Sequence, residues 1–136
     1  MTLKPHVLIV DDDADDREII RDAFESGQHV SEYIFLENGD ALLEYLQSNV
    51  NAVLPSLILL DLNMPGKDGR QALQEIKTNS ALQHIPTVIL TTSSSPRDRE
   101  AAYTLGANCF VTKPDTFNKL VDVTGAIAKL WLLQGS

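Results

Sequence analysis

Short, almost wholly apolar runs alternate with longer amphipathic stretches along the whole chain. A continuous apolar run of about four residues is typical of a strand that is buried on both faces of a parallel sheet. We predict five such strands, at residues 7–10, 33–36, 57–60, 87–90 and 109–111.

The stretches around these strands have apolar residues at helical spacing. In the first stretch, Ile19, Ile20, Ala23 and Phe24 lie on one face, and Gly27 is placed to end the helix. We predict five helices in all, at 14–27, after Asn38-Gly39, around Ala72, Leu73 and Ile76, at 96–106 and at 115–133.

The regular alternation of strands and helices predicts an α/β fold whose parallel sheet is covered by helices on both faces. A flavodoxin-like class with five strands and five helices fits this element count, and we adopt its strand order, 2-1-3-4-5. A length of 136 residues suits one domain, and no linker or second compositional zone interrupts the chain. We therefore expect residues 1–136 to form a single domain with no output domain.

Polar side chains follow four of the predicted strands. Asp11 and Asp12 follow the first, Asp61 the third, Thr91 the fourth, and Lys113 comes after the fifth. The carboxyl ends of parallel strands share one edge of the sheet, and ligands of such sheets bind at that edge. We therefore expect these five residues to form one site.

Three carboxylates in one pocket repel each other by about 4 kcal/mol for each pair that is 4 Å apart in a medium of dielectric constant near 20. A bound cation relieves this repulsion, and oxygen ligands without His or Cys favour Mg²⁺ or Mn²⁺ over Zn²⁺. Lys113 adds a compact positive charge and Thr91 a hydroxyl. Such a set suits phosphoryl transfer to a carboxylate, which depends on positioning and charge neutralisation.

The composition narrows the classes of partner. A net charge of −8 argues against a nucleic-acid partner, because a phosphate backbone attracts clustered Lys and Arg. The sequence has no apolar segment of membrane-spanning length and no signal-peptide pattern at its N-terminus. We expect a protein of the cytoplasm that does not bind a membrane.

Four motifs together resemble response-regulator receiver domains of two-component phosphorelay systems. The spacing agrees as well, with 30 positions from Asp61 to Thr91 and 22 from Thr91 to Lys113. A narrower similarity is to single-domain regulators encoded beside bacteriophytochrome-type kinases. The motifs are Val10-Asp11-Asp12, Leu60-Asp61-Leu62-Asn63-Met64-Pro65-Gly66, Ile89-Leu90-Thr91-Thr92 and Phe110-Val111-Thr112-Lys113-Pro114.

The resemblance implies a phosphate acceptor and a metal site. Asp61 would accept a phosphoryl group from a sensor histidine kinase or a phosphotransfer protein. Asp12, Asp61 and the backbone carbonyl of Asn63 would bind Mg²⁺ directly, and Asp11 would act mainly through water. The domain itself would be no enzyme beyond assisting its own phosphorylation and dephosphorylation.

The resemblance also implies a switch. Thr91 and Lys113 would contact the phosphoryl oxygens, and Phe110 would change its rotamer on activation to alter a surface that binds a downstream protein. The family has a cis peptide bond after this lysine, so we predict one between Lys113 and Pro114, where X-Pro makes it inexpensive.

Three positions are expected to tune the reaction. Thr92 stands where the family often has Ala or Gly, and its branched side chain should restrict access to Asp61. Asn63 and Ser93 resemble positions that control the lifetime of the phosphoryl group, and because neither is acidic or basic we expect no fast hydrolysis. The remaining acidic residues at the start of the first helix, Asp13, Asp15 and Asp16, are interpreted as complementing its dipole.

The last helix suggests a partner surface. We assign one apolar stripe to the core, and a second stripe, formed by Val123, Ile127 and Leu130, is expected to be partly exposed. Our hypothesis is that this flank, with the fourth helix and the fifth strand, forms a symmetric dimer or binds a partner. The core stripe consists of Phe117, Leu120, Thr124, Ala128 and Trp131.

Two other functions remain open. A Mg²⁺-dependent phosphohydrolase of the haloacid-dehalogenase type also uses an Asp nucleophile, and the run from Asp11 to Asp13 permits that alignment. A flavin- or nucleotide-binding module is the other, but acidic residues after the first strand repel phosphate unless a cation intervenes.

Overall fold

The computed structural model describes residues 4–27, 31–48, 54–64 and 68–132. Within them five strands alternate with five helices. The elements are β1 (His6–Val10), α1 (Ala14–Ser26), β2 (Glu32–Leu36), α2 (Gly39–Ser48), β3 (Leu57–Leu60), α3 (Gly69–Lys77), β4 (Thr87–Thr91), α4 (Pro96–Thr104), β5 (Cys109–Thr112) and α5 (Phe117–Trp131).

The strands form one parallel sheet in the order β2-β1-β3-β4-β5, so the predicted fold class and strand order are confirmed. The strand boundaries differ from the prediction by at most one residue at each end. The predicted loop at Pro65-Gly66 lies outside the described residues. No helix in the described part of the chain is long and apolar enough to cross a membrane.

Alternate residues of each central strand point into two separate apolar cores. In β1, Leu8 and Val10 pack with α2, α3 and α4 on one face, whereas Val7 and Ile9 pack with α1 and α5 on the other. Because side chains alternate across a strand, a strand buried on both faces must be apolar at every position. This explains the continuous apolar runs of β1 and β3.

Helix α5 differs from its predicted core face. Phe117 is 45% exposed, because it is the first residue of the helix and lies beside the loop that leaves the carboxyl edge of the sheet. In the second stripe Ile127 is buried, Val123 is half-buried and Leu130 is 69% exposed. The core face therefore includes Ile127, and only part of the predicted flank reaches solvent. The predicted end of this helix, residue 133, lies outside the described residues.

Gly106 closes the turn after α4 with a φ angle of 106°, a conformation that favours glycine. A Cβ atom there would lie 3.0 Å from Cγ of Lys77. That side chain cannot move freely, since its ammonium donates hydrogen bonds to the carbonyl of Ile85 at 2.8 Å and to the side chain of Asn108 at 3.1 Å. The end of α3 and the turn before β5 are held together here.

We predict that Gly106→Ala lowers the free energy of unfolding by about 1–3 kcal/mol, because the backbone is strained for alanine and the new methyl group presses on Lys77. Gly125→Ala is the matched control. Gly125 lies inside α5 with open space around it, so the substitution should raise stability by about 0.5–1 kcal/mol. Urea unfolding followed by circular dichroism measures both, and equal effects would contradict the assignment.

Candidate functional site

The site residues continue the hydrogen-bond ladder of the sheet just beyond the strand ends. The N–H of Asp61 donates to the carbonyl of Val10 at 3.0 Å, and the N–H of Lys113 donates to the carbonyl of Thr91 at 2.7 Å. Asp11 follows Val10 directly. The backbone of the site is thus fixed by the same bonds that hold the strands together.

The carboxylates of Asp11, Asp12 and Asp61 converge as predicted, with oxygen atoms that all lie within 4.8 Å of one another. Asp11 and Asp61 are buried, whereas Asp12 is exposed. The donor set consists only of oxygen atoms and is open to solvent on one side, which suits a hard divalent cation that keeps some of its water. These residues fit Mg²⁺ or Mn²⁺.

Asp11 is held on both of its carboxylate oxygens. One oxygen accepts a hydrogen bond from the N–H of Asp13 at 2.9 Å, and the other accepts one from Nζ of Lys113 at 2.7 Å. Burial raises the pKa of Asp11 above its ordinary value, although both hydrogen bonds act in the opposite direction. The carboxylate therefore lies where a positive neighbour is needed to keep it ionised.

Lys113 provides that positive charge to three carboxylates at once. Its Nζ lies 2.7 Å from Asp11, 2.9 Å from Asp16 and 3.5 Å from Asp61. Burial alone would lower the pKa of Lys113, but the hydrogen bonds to Asp11 and Asp16 and the charges of Asp11 and Asp61 raise it above its ordinary value. The lysine is a fixed cation at neutral pH.

Asp16 belongs to the site, so its interpretation as only a partner of the helix dipole was wrong. It lies in the first turn of α1, and that turn starts at the carboxyl edge of the sheet. Asp13 does cap α1 as expected, since its side chain accepts hydrogen bonds from the N–H groups of Asp15 and Asp16. The only signal for Asp16 in the sequence was its closeness to Asp11.

The predicted cis peptide bond between Lys113 and Pro114 is also wrong, because the bond is trans in the structure. A cis bond is not needed to return the lysine to the pocket. With a trans bond its long side chain already reaches Asp11 and Asp16. The trans form is favoured for X-Pro bonds in the absence of another constraint.

On the other side of Asp61, Asn63 and Ser93 surround the hydroxyl of Thr91. The N–H of Asn63 donates to Oδ1 of Asp61 at 3.2 Å. The side-chain amide of Asn63 and the N–H of Ser93 each lie 3.5 Å from Oγ1 of Thr91. Thr91 is completely buried, so these donors orient its hydroxyl without help from solvent.

Gly69 allows the acceptor loop to approach α3 closely. Its N–H donates to the carbonyl of Leu62 at 3.1 Å. A Cβ atom at this position would collide with the carbonyl oxygen of Asp61 and would lie 2.7 Å from Cα of Leu62. Any larger residue would displace either the helix or the acceptor.

The predicted switch and access residues lie further out. Thr92 is exposed and directly follows β4. Phe110 is buried, with the guanidinium of Arg99 located 5.4 Å from its ring centre. Its N–H donates to the hydroxyl of Tyr103 at 3.0 Å. Phe110 is therefore connected to α4 through both its ring and its backbone.

Arg17 is a further residue that the sequence did not reveal. Its guanidinium donates to the carbonyl of Asp11 at 2.7 Å and lies 5.9 Å from the ring centre of Phe35. It supports the loop that carries Asp11 and Asp12. No pattern in the sequence signals an arginine that binds a backbone carbonyl.

A family model for the response regulator receiver domain matches residues 7–124. The chain belongs to this family. The match includes every residue of the candidate site, so the resemblance drawn from the four motifs is confirmed.

Relatives of this receiver domain are similar over nearly its whole length. Response regulator Rcp1 of Synechocystis sp. is 39% identical over 129 residues, which cover 93% of this chain and 88% of that protein. A crystal structure of the phosphorylated cyanobacterial phytochrome response regulator RcpA has a TM-score of 0.89 and 34% identity, with 98% of each chain covered. The narrower similarity to phytochrome-associated regulators is thus confirmed.

A second solved structure is the Mn²⁺-bound form of Rcp1, with a TM-score of 0.85, 37% identity and 97% of each chain covered. The acidic cluster of Asp11, Asp12 and Asp61 is consistent with the divalent metal binding of receiver domains. The predicted type of cofactor is confirmed.

We predict that Mg²⁺ stabilises this receiver domain, by about 2.7 kcal/mol when its concentration is 100 times the dissociation constant. Asp12→Ala should remove most of this gain. Without metal the variant should be at least as stable as the wild type, because a repulsive charge has been removed. Urea unfolding with and without Mg²⁺ measures both effects.

Asp15→Ala is the matched control, since Asp15 is also exposed and acidic but lies outside the cluster. It should keep the full stabilisation by Mg²⁺. Equal stabilisation of wild type and Asp12→Ala would show that the cluster does not bind the metal.

Proposed function

We propose that this receiver domain accepts a phosphoryl group on Asp61 from the phosphohistidine of a sensor histidine kinase or a phosphotransfer protein. The supporting observation is the position of the Asp61 carboxylate, which meets those of Asp11 and Asp12 and lies 3.5 Å from Nζ of Lys113. The structure of RcpA, which is similar over almost the whole chain, is that of a phosphorylated protein.

In the proposed reaction a carboxylate oxygen of Asp61 attacks the phosphorus atom. An O–P bond forms while the N–P bond of the donor breaks, and its electron pair returns to the imidazole nitrogen. The ammonium group of Lys113 and the hydroxyl of Thr91 donate hydrogen bonds to the phosphoryl oxygens. Lys113 is already held in place by Asp11 and Asp16, so its charge needs little reorganisation during transfer.

The metal would be held by Asp12, Asp61 and the carbonyl of Asn63, with Asp11 acting through water. A divalent cation in this position supplies positive charge that offsets the carboxylates and the charge on the transferred group. Asp11 remains bound to Lys113 at 2.7 Å, which is consistent with an indirect role.

We predict that the wild type gains one phosphoryl group when it is incubated with Mg²⁺ and acetyl phosphate, as measured by intact-protein mass spectrometry. Asp61→Asn should gain none, because an amide cannot attack phosphorus in this way. Asp122→Asn, an exposed position on α5, is the control and should react as the wild type does. Labelling that persists in Asp61→Asn would exclude Asp61 as the acceptor.

The hypothesis that the protein is a phosphohydrolase has less support than a receiver function. It needs Asp11 as a nucleophile and Asp13 as a second catalytic carboxylate. Asp13 instead caps α1, and Asp11 is bound to Lys113. We therefore propose that the protein is a signalling domain and no enzyme beyond its own phosphorylation and dephosphorylation.

We also infer that phosphorylation alters a surface made by α4, β5 and α5, which binds a downstream protein or a second copy of the chain. Leu130 and Tyr103 are exposed there, at 69% and 46%. Tyr103 contacts Phe110 on β5 through its hydroxyl. A shift of the backbone at Phe110 would therefore reach an exposed side chain of α4, and a change of its rotamer would alter the contact of its ring with Arg99 at 5.4 Å.

We predict that Leu130→Lys weakens self-association of the phosphorylated domain, because a charge replaces an exposed apolar side chain in the interface. Phosphorylation itself should be unaffected. Gln47→Lys is the matched control, since it makes the same change of charge at an exposed position of α2. Sedimentation velocity measures the outcome, and a wild type that stays monomeric with and without beryllofluoride would rule out the dimer.

A further inference from the structure

Asp98 connects three parts of the chain beside the site. Its Oδ1 accepts a hydrogen bond from the guanidinium of Arg70 at 2.8 Å, and its Oδ2 accepts one from the hydroxyl of Ser93 at 2.6 Å. Arg70 lies on α3, Asp98 on α4, and Ser93 in the loop after β4. One carboxylate therefore joins two neighbouring helices and the loop that follows Thr91.

Ser93 is fixed through its backbone as well. Its carbonyl accepts a hydrogen bond from the hydroxyl of Thr112 on β5 at 2.8 Å, and its Oγ accepts one from the N–H of Ser95 at 3.2 Å. Its own N–H faces Oγ1 of Thr91 at 3.5 Å. A residue bound at this many atoms has little freedom, so the direction of its N–H is set by the network around it.

The position of that N–H matters for the chemistry of Thr91. A hydroxyl has one proton to donate and two lone pairs that accept. The amide of Asn63 and the N–H of Ser93 are both directed at Oγ1 of Thr91. When its acceptor positions are occupied in this way, the proton of the hydroxyl remains available for a third partner.

At neutral pH Asp98 is a carboxylate that accepts the hydrogen bonds from both Arg70 and Ser93. The hydrogen bonds from Ser93 and then Arg70 lower the pKa of Asp98 below its ordinary value of 3.8, so the carboxylate is ionised. The stability that this ionised carboxylate adds to the fold is therefore present at neutral pH, and it is lost only when the pH falls through the lowered pKa. A partly exposed ion pair alone adds little to stability, so the geometry of the network is the more informative feature.

We propose that Arg70 and Asp98 are positioning residues that tie α3 to α4 and hold Ser93, so that the hydroxyl of Thr91 points its proton at the phosphoryl group on Asp61. This inference rests on the proposed function. It concerns only the side of Asp61 on which Thr91 lies. The opposite side, where Asp11 and Asp12 lie, shares no hydrogen bond with Arg70, Ser93 or Asp98 among the described residues.

The test compares Asp98→Ala with the wild type in three measurements on the full chain. They are the rate of phosphorylation by acetyl phosphate, the affinity for beryllofluoride, and the affinity for Mg²⁺ alone. We expect the first two to fall about fivefold, the effect of losing one oriented hydrogen bond. The affinity for Mg²⁺ should not change, which a general loss of structure would not allow.

Asp98→Asn is the conservative variant and should recover most of the lost rate, because its carbonyl oxygen still accepts from Ser93 or Arg70. Ser93→Ala removes a single hydroxyl and should behave like a folded Asp98→Ala. It provides the same test if Asp98→Ala does not fold. Glu100→Ala, an exposed neighbour on α4, should behave like the wild type. Circular dichroism and thermal unfolding verify that each variant is folded.

Two outcomes would overturn the inference while leaving the proposed function intact. One is a folded Asp98→Ala or Ser93→Ala that reacts and binds beryllofluoride as the wild type does. The other is an equal loss of Mg²⁺ affinity, which would mean that the network only stabilises the fold. A wild type that takes no phosphoryl group and binds no beryllofluoride would instead contradict the proposed function itself.

Discussion

The electrostatic balance between Lys113 and the carboxylates around it governs the rest of the site. Three carboxylates converge within 4.8 Å, and burial of Asp11 and Asp61 strengthens their repulsion. One ammonium group lies close to both of these residues and to Asp16. It offsets part of the negative charge but not all of it. The remaining charge explains why a site of this composition has a place for a divalent cation.

The sheet makes this arrangement possible because it fixes the backbone before any side chain is placed. Asp61 is held in register with Val10, and Lys113 with Thr91, by hydrogen bonds that continue the strands. The two apolar cores hold the sheet on both faces, and Gly69 lets α3 begin directly against the acceptor loop. A charged pocket of this kind is costly, and a rigid scaffold supplies the stability that it needs.

The two sides of Asp61 are built differently. The side towards β1 holds Lys113 together with Asp11 and Asp12, and these carboxylates suit a metal ion. The side towards β4 holds neutral donors around Thr91, and the interaction of Asp98 with Arg70 and Ser93 extends from there to α3 and α4. Phe110, which is paired with Ile89 of β4, contacts the same helix α4. A structural change at Asp61 can therefore be transmitted to α4 through a short chain of contacts.

The sequence alone determined the fold class and the residues that lie at the carboxyl edge of the sheet, whereas the strand order was adopted from that class. Continuous apolar runs of about four residues are typical of strands buried on both faces, and parallel strands bring their carboxyl ends to one edge. Asp11, Asp12, Asp61, Thr91 and Lys113 could therefore be placed together although they span about a hundred positions.

Only the tertiary structure decided which side chains meet across that edge. Lys113 and Asp16 are 97 positions apart, and Arg70 and Asp98 are 28 apart. Whether such pairs touch depends on where each helix lies relative to its neighbours and on the reach of each side chain. Hydrophobic periodicity gives neither quantity, because it reports only which face of a helix is buried. The exposure of Phe117, at the first position of α5, and the trans bond before Pro114 are not encoded in that periodicity either.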